Sequence, residues 1–260
     1  VSAFLLNRSS DLEIASTYGG AVFCWNESRL NIRNSTFEKN RCDHYGGAIS
    51  AALWAEITDS IFTGNSATHY AGALCIWGNL SVSNSNFTNN NAQVASSIYD
   101  YCFDGCLTIT GSNFINNTHM SLGTLFLTTN AFVRNSTFAN NRAYDGICGA
   151  IDSEQNLTVS DSIFTNNSAV RSQGYSVGGA IASYGENLNV ENSVFADSHV
   201  IRGGAIANFA KNAHIRNSIF ANNSAQKDGG AIFNYDDTFC SVSDSIFENN
   251  SAFDGGALFG

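Results

Sequence analysis

The chain has 260 residues, with 12 Lys+Arg against 22 Asp+Glu and a formal net charge of −10. This balance argues against nucleic acid and against an anionic membrane surface as partners, and no apolar run is long enough to predict a membrane span. Only 13 % of the residues are charged and there is no proline, so we expect an Asn-, Ser-, Thr- and Gly-rich surface, as on many extracellular proteins.

One short pattern, Ser-x-Phe-x-x-Asn, recurs along the whole chain. The Phe-to-Phe spacing is mostly 24 to 27 residues, and self-similarity at such a period predicts a solenoid. The phenylalanines are Phe4, Phe37, Phe62, Phe87, Phe114, Phe138, Phe164, Phe195, Phe220 and Phe247. The residues three positions later are Asn7, Asn40, Asn65, Asn90, Asn117, Asn141, Asn167, Ser198, Asn223 and Asn250.

The residues before each Phe alternate between apolar and polar with a period of two. In one copy, Leu157 and Val159 share a face while Thr158 and Ser160 take the other, as in a strand. The position five residues before Phe holds Ile or Val in every copy from Phe37 onward, and β-branched side chains favour strands. Asn-Ser or Asp-Ser then forms a corner, Ser-x-Phe-x a second strand, and Asn-Asn-Ser the next corner.

Three short strands per repeat predict an all-β fold, a parallel β-helix of about ten coils of about 25 residues. The predicted domain is one continuous solenoid over residues 1–260. Because the chain starts and ends in mid-repeat, we expect it to be a segment of a longer array or to have its ends covered by other chains.

In such a coil, the same position of every repeat stacks at the inter-strand spacing of ~4.8 Å. The Phe column is expected to form a buried stack, in which each ring contributes roughly 1.5 to 3 kcal/mol of transfer free energy. The Asn column is expected to form a buried amide ladder, each side chain donating to one neighbour and accepting from the other. Both columns are interpreted as structural, so they predict no catalytic residue and no cofactor.

A second signature, Gly-Gly-Ala-Ile, starts the third strand of the repeat, as at 46–49 and 229–232. It degrades in the middle of the chain, at 96–99 and 123–126. Length variation is confined to two corners of the repeat, and function on a solenoid usually lies in such loops and on the exposed face beside them.

The seven cysteines predict one disulfide across a short loop and leave other pairings open. Cys42 and Cys240 stand in columns of small apolar residues and are expected to be buried thiols. Cys102 and Cys106 flank a short loop where the repeat is longer than its neighbours, and a disulfide between them is predicted. No His–Cys cluster has zinc-ligand spacing. The pairing of the other five cysteines is left open, and these are Cys24, Cys42, Cys75, Cys148 and Cys240.

Asn-x-Ser/Thr sequons are frequent, partly because Asn-Asn-Ser recurs with the repeat. Period two turns the first Asn of that triplet outward when the second belongs to the ladder, so these sites are predicted to carry glycans if the source has a secretory pathway. The candidates are Asn7, Asn26, Asn34, Asn79, Asn86, Asn116, Asn135, Asn156, Asn166, Asn222 and Asn249.

The alternation of Gly-Gly-Ala-[Ile/Leu/Val] with Phe-x-x-Asn over the whole chain resembles the repeats of the polymorphic membrane proteins of chlamydiae. The resemblance implies a single-stranded right-handed β-helix of the autotransporter-passenger type, displayed at a cell surface, with adhesion as the usual role. The sequence departs from that pattern where the two central glycine motifs are lost and where Ser198 replaces an Asn.

Three functions follow as hypotheses. The first is a non-catalytic extracellular or cell-surface rod that binds protein or glycan at a cell surface. The second is a structural subunit of a filament or coat, made of further repeats or other copies end to end. The third is a polysaccharide lyase or hydrolase, which needs convergent carboxylates. The best carboxylate pairs, Asp236-Asp237 and Asp152-x-Glu154, lie three coils apart and are interpreted as solvated turn residues.

Overall fold

A computed structural model describes residues 2–3, 6–8, 14–15, 17–24, 29–51, 53–102, 105–170 and 176–260. Within these ranges the chain contains strands, turns and bends but no helix. The strands form four parallel sheets, called sheets A to D here in the order in which one coil visits them, and each strand pairs with the equivalent strands of the coils before and after it. The fold is therefore the predicted all-β parallel solenoid.

Sheet A is built from the segment that alternates apolar and polar residues. Leu157 and Val159 point into the coil and are buried, whereas Thr158 and Ser160 lie on the outer face, as period two requires. Its strands are Ser2–Ala3, Arg29–Arg33, Trp54–Thr58, Asn79–Ser83, Cys106–Thr110, Asn130–Arg134, Leu157–Ser160, Asn187–Glu191, Asn212–Arg216 and Phe239–Ser243.

Sheet B carries the phenylalanine column on its inner face. The register places Phe opposite Phe, as for Phe62 and Phe87. Its strands are Leu6–Arg8, Thr36–Glu38, Ile61–Thr63, Asn86–Thr88, Asn113–Ile115, Thr137–Ala139, Ile163–Thr165, Val194–Ala196, Ile219–Ala221 and Ile246–Glu248.

Sheet C is a fourth strand per coil that the three-strand prediction missed. The residues after the Asn ladder were interpreted as a corner, but Ser66–Ala67 pairs in register with Arg41–Cys42. Its strands are Ile14–Ala15, Arg41–Cys42, Ser66–Ala67, Asn91–Val94, Thr118–Ser121, Arg142–Ala143, Ser168–Ala169, His199–Arg202 and Ser224–Asp228. Several of these strands have only two residues, which is too short for a period-two pattern to be visible.

Sheet D follows the glycine signature. Its first residue, as in Ile49 and Leu74, points inward and packs with the Phe and Ile/Val columns in one continuous core. Its strands are Val22–Cys24, Ile49–Ala51, Leu74–Ile76, Ile98–Asp100, Leu125–Leu127, Ile151–Ser153, Ile181–Ser183, Ile206–Asn208, Ile232–Asn234 and Leu258–Phe259.

The corners explain the abundance of Asn, Asp and Gly. The residue before the Ser of each A–B corner has a left-handed backbone, as at Asn34 with φ 45° and Asp59 with φ 50°. The residue before the ladder Asn does the same, as at Asn166 with φ 51°. Asn and Asp tolerate this conformation better than other residues with a Cβ, so the corner composition follows from backbone geometry.

The paired glycines have separate reasons to be glycine. Gly229 has φ +66°, and a Cβ there would collide with the carbonyl oxygen of Ile232. Gly230 has no positive φ, but a Cβ on it would collide with the carbonyl oxygen of Gly256 in the next coil. The first glycine therefore makes the turn, and the second lets adjacent coils approach.

Candidate functional site

The phenylalanine column is a continuous aromatic stack inside the coil. From Phe37 to Phe247, successive ring centroids lie 4.7 to 5.0 Å apart with interplanar angles of 3 to 8°. The rings from Phe37 to Phe220 are fully buried. Phe4, the first predicted member, lies outside the described residues. The rings contribute to packing and are inaccessible to a ligand.

The asparagine column forms an amide ladder at the B–C corner. From Asn40 to Asn141, and again at Asn223, Nδ2 donates to Oδ1 of the Asn in the next coil at 2.9 to 3.1 Å. The same Nδ2 also donates to the carbonyl of a phenylalanine in the preceding coil, as from Asn65 to Phe37. At Ser198 the side-chain Oγ donates to Ala196 O of its own coil at 3.3 Å and does not continue the ladder. The backbone N of Ser198 still donates to Asn223 Oδ1 of the next coil at 3.1 Å.

The serine two residues before each Phe forms a second ladder at the A–B corner. The backbone N of Ser60 donates to Oγ of Ser85, and Ser60 Oγ donates to the carbonyl of Thr58. The pattern repeats from Ser35 to Ser245. Both ladders satisfy polar groups at buried corners, so their conserved spacing in this chain is explained by structure.

The assignment of Asn7 to the ladder is wrong. The strand Leu6–Arg8 places Asn7 opposite Phe37, and Ser2 lies opposite Asn31. Every other copy has Asn, Asp or Gly in the left-handed conformation immediately before its Ser, whereas the first copy has Val1 at that position of the sequence. A β-branched residue strongly disfavours a left-handed backbone, so the first copy does not follow the register of the others.

The predicted Cys102–Cys106 disulfide is not present in the structure. Cys106 begins a sheet A strand as an exposed residue, and its backbone N donates to Asn79 Oδ1. Cys102 lies with its Sγ against Gly105, and its backbone N donates to Thr128 Oγ1. Each backbone is thus held by a different neighbouring coil. Cys42, Cys75 and Cys148 are buried, while Cys24 and Cys240 are half-buried.

Most of the predicted glycosylation sites lie on the surface of the rod. Asn86 and Asn156 are half-buried, and Asn156 Nδ2 donates to Asn130 Oδ1 at 2.9 Å. Asn7 and Asn26 fall outside the residues whose side chains are described. The exposed sites are Asn34, Asn79, Asn116, Asn135, Asn166, Asn222 and Asn249.

The outer face of sheet A is polar and internally paired. Arg33 pairs with Glu56 at 3.5 Å, and Arg216 pairs with Glu191 at 2.7 Å, each across adjacent coils. A shallow groove of about 490 Å³ crosses this face beside Glu191 and His214. Because its charged groups already have partners in the same sheet, the groove offers little unsatisfied chemistry to a ligand.

The outer side of sheet D is aromatic. Tyr18, Tyr45 and Tyr70 stack on one another with centroids 5.3 and 5.1 Å apart. Tyr99 continues the run, 4.9 Å from Tyr70 and 5.3 Å from Phe126. We call the following group the first aromatic cluster: Tyr18, Phe23, Tyr45, Tyr70, Trp77, Tyr99, Tyr101 and Phe126.

A second aromatic cluster covers sheet D farther along the rod. It consists of Tyr184, Phe209, Phe233, Tyr235 and Phe259, joined by centroid distances of 4.7 to 6.0 Å. Between the clusters the aromatic pattern stops. From the strand Leu74–Ile76 to the strand Ile232–Asn234, the residue directly after the sheet D strand is aromatic at Trp77, Tyr101, Tyr184, Phe209 and Tyr235, but it is Thr128 and Glu154 in the two intervening coils.

This interruption leaves a cleft of about 530 Å³ at the edge of the first aromatic cluster, which we call the sheet D cleft. Tyr101, 46 % exposed, is the most accessible aromatic ring of its lining. The polar groups Thr128, Glu154 and Gln155 come from the two coils in which no aromatic residue follows the sheet D strand. The lining consists of Tyr70, Val94, Tyr99, Tyr101, Ser121, Leu122, Phe126, Thr128, Glu154 and Gln155.

The repeat departs most from its own pattern beside this cleft. Leu122 occupies a left-handed position with φ 65°, and Ala95 does so with φ 52°, where regular coils have glycine. His119 replaces a small residue of the sheet C column and is fully buried, with Nε2 2.9 Å from Cys148 O and 3.1 Å from Leu122 O. Burial lowers the pKa of His119 to about 4, so the ring is neutral at pH 7 and holds the Leu122 corner.

Two buried carboxyls belong to the same coils. Asp100 and Asp152 are both 0 % exposed and have no hydrogen-bond partner. Burial raises the pKa of Asp100 to about 7, offset in part by the backbone amides of Thr128 and Thr129, which approach it without hydrogen-bond geometry. Burial, and then the charge of Glu154, raise the pKa of Asp152. Unpaired buried carboxyls cost stability, so this region is less optimised for folding than the regular coils.

The predicted carboxylate pairs do not meet. Asp152 is buried and Glu154 lines the sheet D cleft, whereas Asp236 and Asp237 lie exposed in a corner after the strand Ile232–Asn234. The strands Ile181–Ser183 and Ile206–Asn208 lie between the two pairs. Among the described residues, no group of three or more His, Cys, Asp or Glu could hold a metal ion, and no helix could span a membrane.

Sequence reasoning missed the sheet D cleft. The signal was present as an aromatic residue after the sheet D strands from Leu74–Ile76 to Ile232–Asn234, interrupted by Thr128 and Glu154. It could have been found by tabulating every column of the repeat, including those that face outward.

Comparison with known families identifies two profiles. One, described as a right-handed beta helix region, matches residues 20–195. The other, described as the Chlamydia polymorphic membrane protein repeat, matches residues 217–235. No curated protein and no solved structure shows a significant match. The two profiles agree with the coil geometry and with the repeat pattern from which the resemblance was drawn.

Proposed function

Since the chain belongs to the right-handed β-helix family, we propose that it is a non-catalytic rod displayed outside the cell or at a cell surface, where it acts in adhesion by binding protein or glycan. The matched repeat is named after membrane proteins, which supports a surface location. The observation that carries the proposal is the sheet D cleft, a concave surface that combines an accessible aromatic ring with polar groups.

Several features favour binding over packing as the role of this cleft. Tyr101 is exposed within a concave surface, and Tyr is enriched among the residues that dominate binding energy. Local rules of the repeat are broken at Ala95, Leu122 and His119, and such violations concentrate at functional sites.

A non-catalytic role is supported by the arrangement of the acids. The cleft has one carboxylate, Glu154, in its lining, and the nearby Asp152 is enclosed by protein. A glycosidase or lyase needs two groups that reach the same scissile bond. The pair at Asp236 and Asp237 lies three coils away and cannot complete such a site.

The test is adhesion of beads coated with the whole chain to cultured cells and to immobilised extracellular matrix. We expect retention that soluble chain competes away. Tyr101→Ala should reduce retention strongly, whereas Phe132→Ala, which removes an equally exposed ring from sheet A, should not. Equal retention of both variants and the parent chain would exclude the sheet D cleft as the adhesive surface.

Glycosylation remains a prediction. The exposed sequons Asn166 and Asn222 lie at left-handed corners and could carry a glycan without disturbing the ladder. Asn166 Nδ2 donates to Asn140 Oδ1 at 2.7 Å, a surface contact that a glycan would replace. An intact mass of the natural protein equal to its bare polypeptide would rule out the glycoprotein interpretation.

A further inference from the structure

We infer that the sheet D cleft binds the basic side chain, arginine or lysine, of a partner protein. The inference rests on the proposed function, because it names the ligand chemistry of the same cleft. It follows from three properties of the lining: exposed aromatic rings, a carboxylate without an ion-pair partner, and the absence of basic groups.

The aromatic wall is suited to a cation. Tyr99, Tyr101 and Phe126 all line the cleft, and a guanidinium or ammonium group over such rings is attracted by their quadrupole, more strongly when water is excluded. The chain uses this contact elsewhere. The Arg142 guanidinium lies 4.8 Å from the Tyr144 ring centroid.

The carboxylate in the cleft favours a positively charged ligand over an uncharged apolar one. Elsewhere on the rod, Glu56 and Glu191 each pair with an arginine of an adjacent coil. Glu154 lies in the cleft with no ion-pair partner among the described residues. Glu154 is exposed but flanked by protein, and this partial burial raises its pKa, as expected for a carboxylate that has no counter-charge beside it.

The surroundings reinforce the preference for positive charge. None of the described residues that line the cleft is Lys, Arg or His, and the chain carries a net charge of −10. An acidic peptide, a phosphate or a sulfated glycan would therefore be repelled by Glu154 and would find no basic side chain in the lining to pair with. A basic segment would be attracted from a distance and then held by Glu154 and the rings.

The arrangement also fits a side chain better than a free metal ion. A single carboxylate supplies too few oxygen ligands for calcium, whereas arginine has an apolar stem that can pack on Leu122 and Val94. Ser121 and Gln155 provide acceptors for the remaining N–H groups of a guanidinium. Arginine is therefore expected to bind more tightly than lysine.

The experiment uses the whole chain and a fluorescein-labelled peptide of Gly, Ser and Arg, with matched peptides that carry Lys or the neutral isostere citrulline in place of Arg. We expect the citrulline peptide to bind at least about tenfold more weakly than the Arg peptide, from the loss of one cation–π contact and one ion pair. Equal binding of the Arg and citrulline peptides would overturn the inference.

Two protein variants locate the site. Glu154→Gln removes the charge and should weaken binding of the Arg peptide about three- to fivefold, while Asp236→Asn, an equal change of net charge on an exposed corner, should change it less than about twofold. Tyr101→Leu should weaken binding, and Phe132→Leu should not. If Glu154→Gln and Asp236→Asn have the same effect, the binding is non-specific attraction to an acidic protein and the inference fails.

Failure of the inference can be told apart from failure of the proposed function. Because the Glu154 side chain makes no hydrogen bond within the described part of the chain, Glu154→Gln should leave the thermal midpoint unchanged, and this is checked first. If beads adhere to cells through Tyr101 but binding is insensitive to Glu154→Gln and to salt, the occupant is a neutral glycan. Adhesion would then stand and the basic-side-chain inference would be wrong.

Discussion

The coils at residues 95–155 and those at residues 178–235 come from the same repeat but differ on the outer side of sheet D. In the later coils, Gly178, Gly203 and Gly229 occupy the left-handed positions, and aromatic residues follow every strand. In the earlier coils, Ala95 and Leu122 occupy those positions, and Thr128 and Glu154 interrupt the aromatic pattern.

The inner columns of the two regions are nevertheless alike. Phe114, Phe138, Phe195 and Phe220 belong to one unbroken stack. Stacked coils constrain an inward position from both sides, whereas an outward position is free to vary. The difference teaches that the repeat tolerates backbone strain and buried carboxyl groups on one face provided that the core is continuous.

Removing a ring from the shared core should have the largest effect. Phe164→Ala is expected to lower the free energy of unfolding by about 3 to 5 kcal/mol, from lost burial and the cavity left between Phe138 and Phe195. The measurement is denaturant unfolding followed by circular dichroism. Phe132→Ala, on the exposed face of sheet A, is the control, and an equal loss in both variants would contradict a special role for the stack.

The buried acid of the earlier coils predicts a pH dependence. Burial raises the pKa of Asp100 from its ordinary 3.8 to about 7, so between these values the folded protein holds a proton that the unfolded chain has released. The contribution of Asp100 to stability therefore falls as pH rises through this window, by up to about 1.4 kcal/mol per pH unit.

Asp100→Asn tests that sign. The variant should gain stability relative to the parent chain as pH is raised from 5 to about 7, as read from thermal midpoints across the range. Asp236→Asn, at an exposed corner, should leave the pH slope unchanged. A parent chain and an Asp100→Asn variant with parallel pH profiles would show that this carboxyl is ionised in the folded state.

Exchanging residues at the left-handed positions should reveal the strain difference. Gly229→Ala, in the regular region, should destabilise by about 1 to 3 kcal/mol, since the added Cβ meets the Ile232 carbonyl. Ala95→Gly, in the irregular region with φ 52°, should instead stabilise by about 1 kcal/mol. Urea midpoints compare the two, and a stabilising Gly229→Ala would contradict the assigned conformation.

Repairing the ladder should have a small effect. Ser198→Asn would restore an Nδ2 donor and an Oδ1 acceptor between Asn167 and Asn223, and a gain of about 1 kcal/mol is expected from the added hydrogen bonds. Slower amide hydrogen exchange at Ser168 and His199 would report the local change. The opposite result, faster exchange, would indicate that the coil leaves no room for the longer side chain.

The sequence by itself determined the fold class, the period and the asparagine ladder. This was possible because an inward or corner position has the same surroundings in every coil. The same residue type therefore recurs at that position, as at Asn65, Asn90 and Asn117. Phe62 and Phe87 were placed inside the coil by the same reasoning, and their rings lie there.

Only the tertiary structure decided the features that depend on unlike neighbours. The fourth strand, Ser66–Ala67, is too short to show a period, and the position of Asn7 opposite Phe37 depends on pairing with one adjacent coil. Cys102 and Cys106 are each held by a different coil, so their nearness in sequence does not join them. The sheet D cleft exists because the stacking of coils brings Tyr101 and Glu154, which are far apart in the chain, to one surface. The repeat pattern does not predict this arrangement, because Glu154 stands where the coils of Tyr101 and Tyr184 have an aromatic residue.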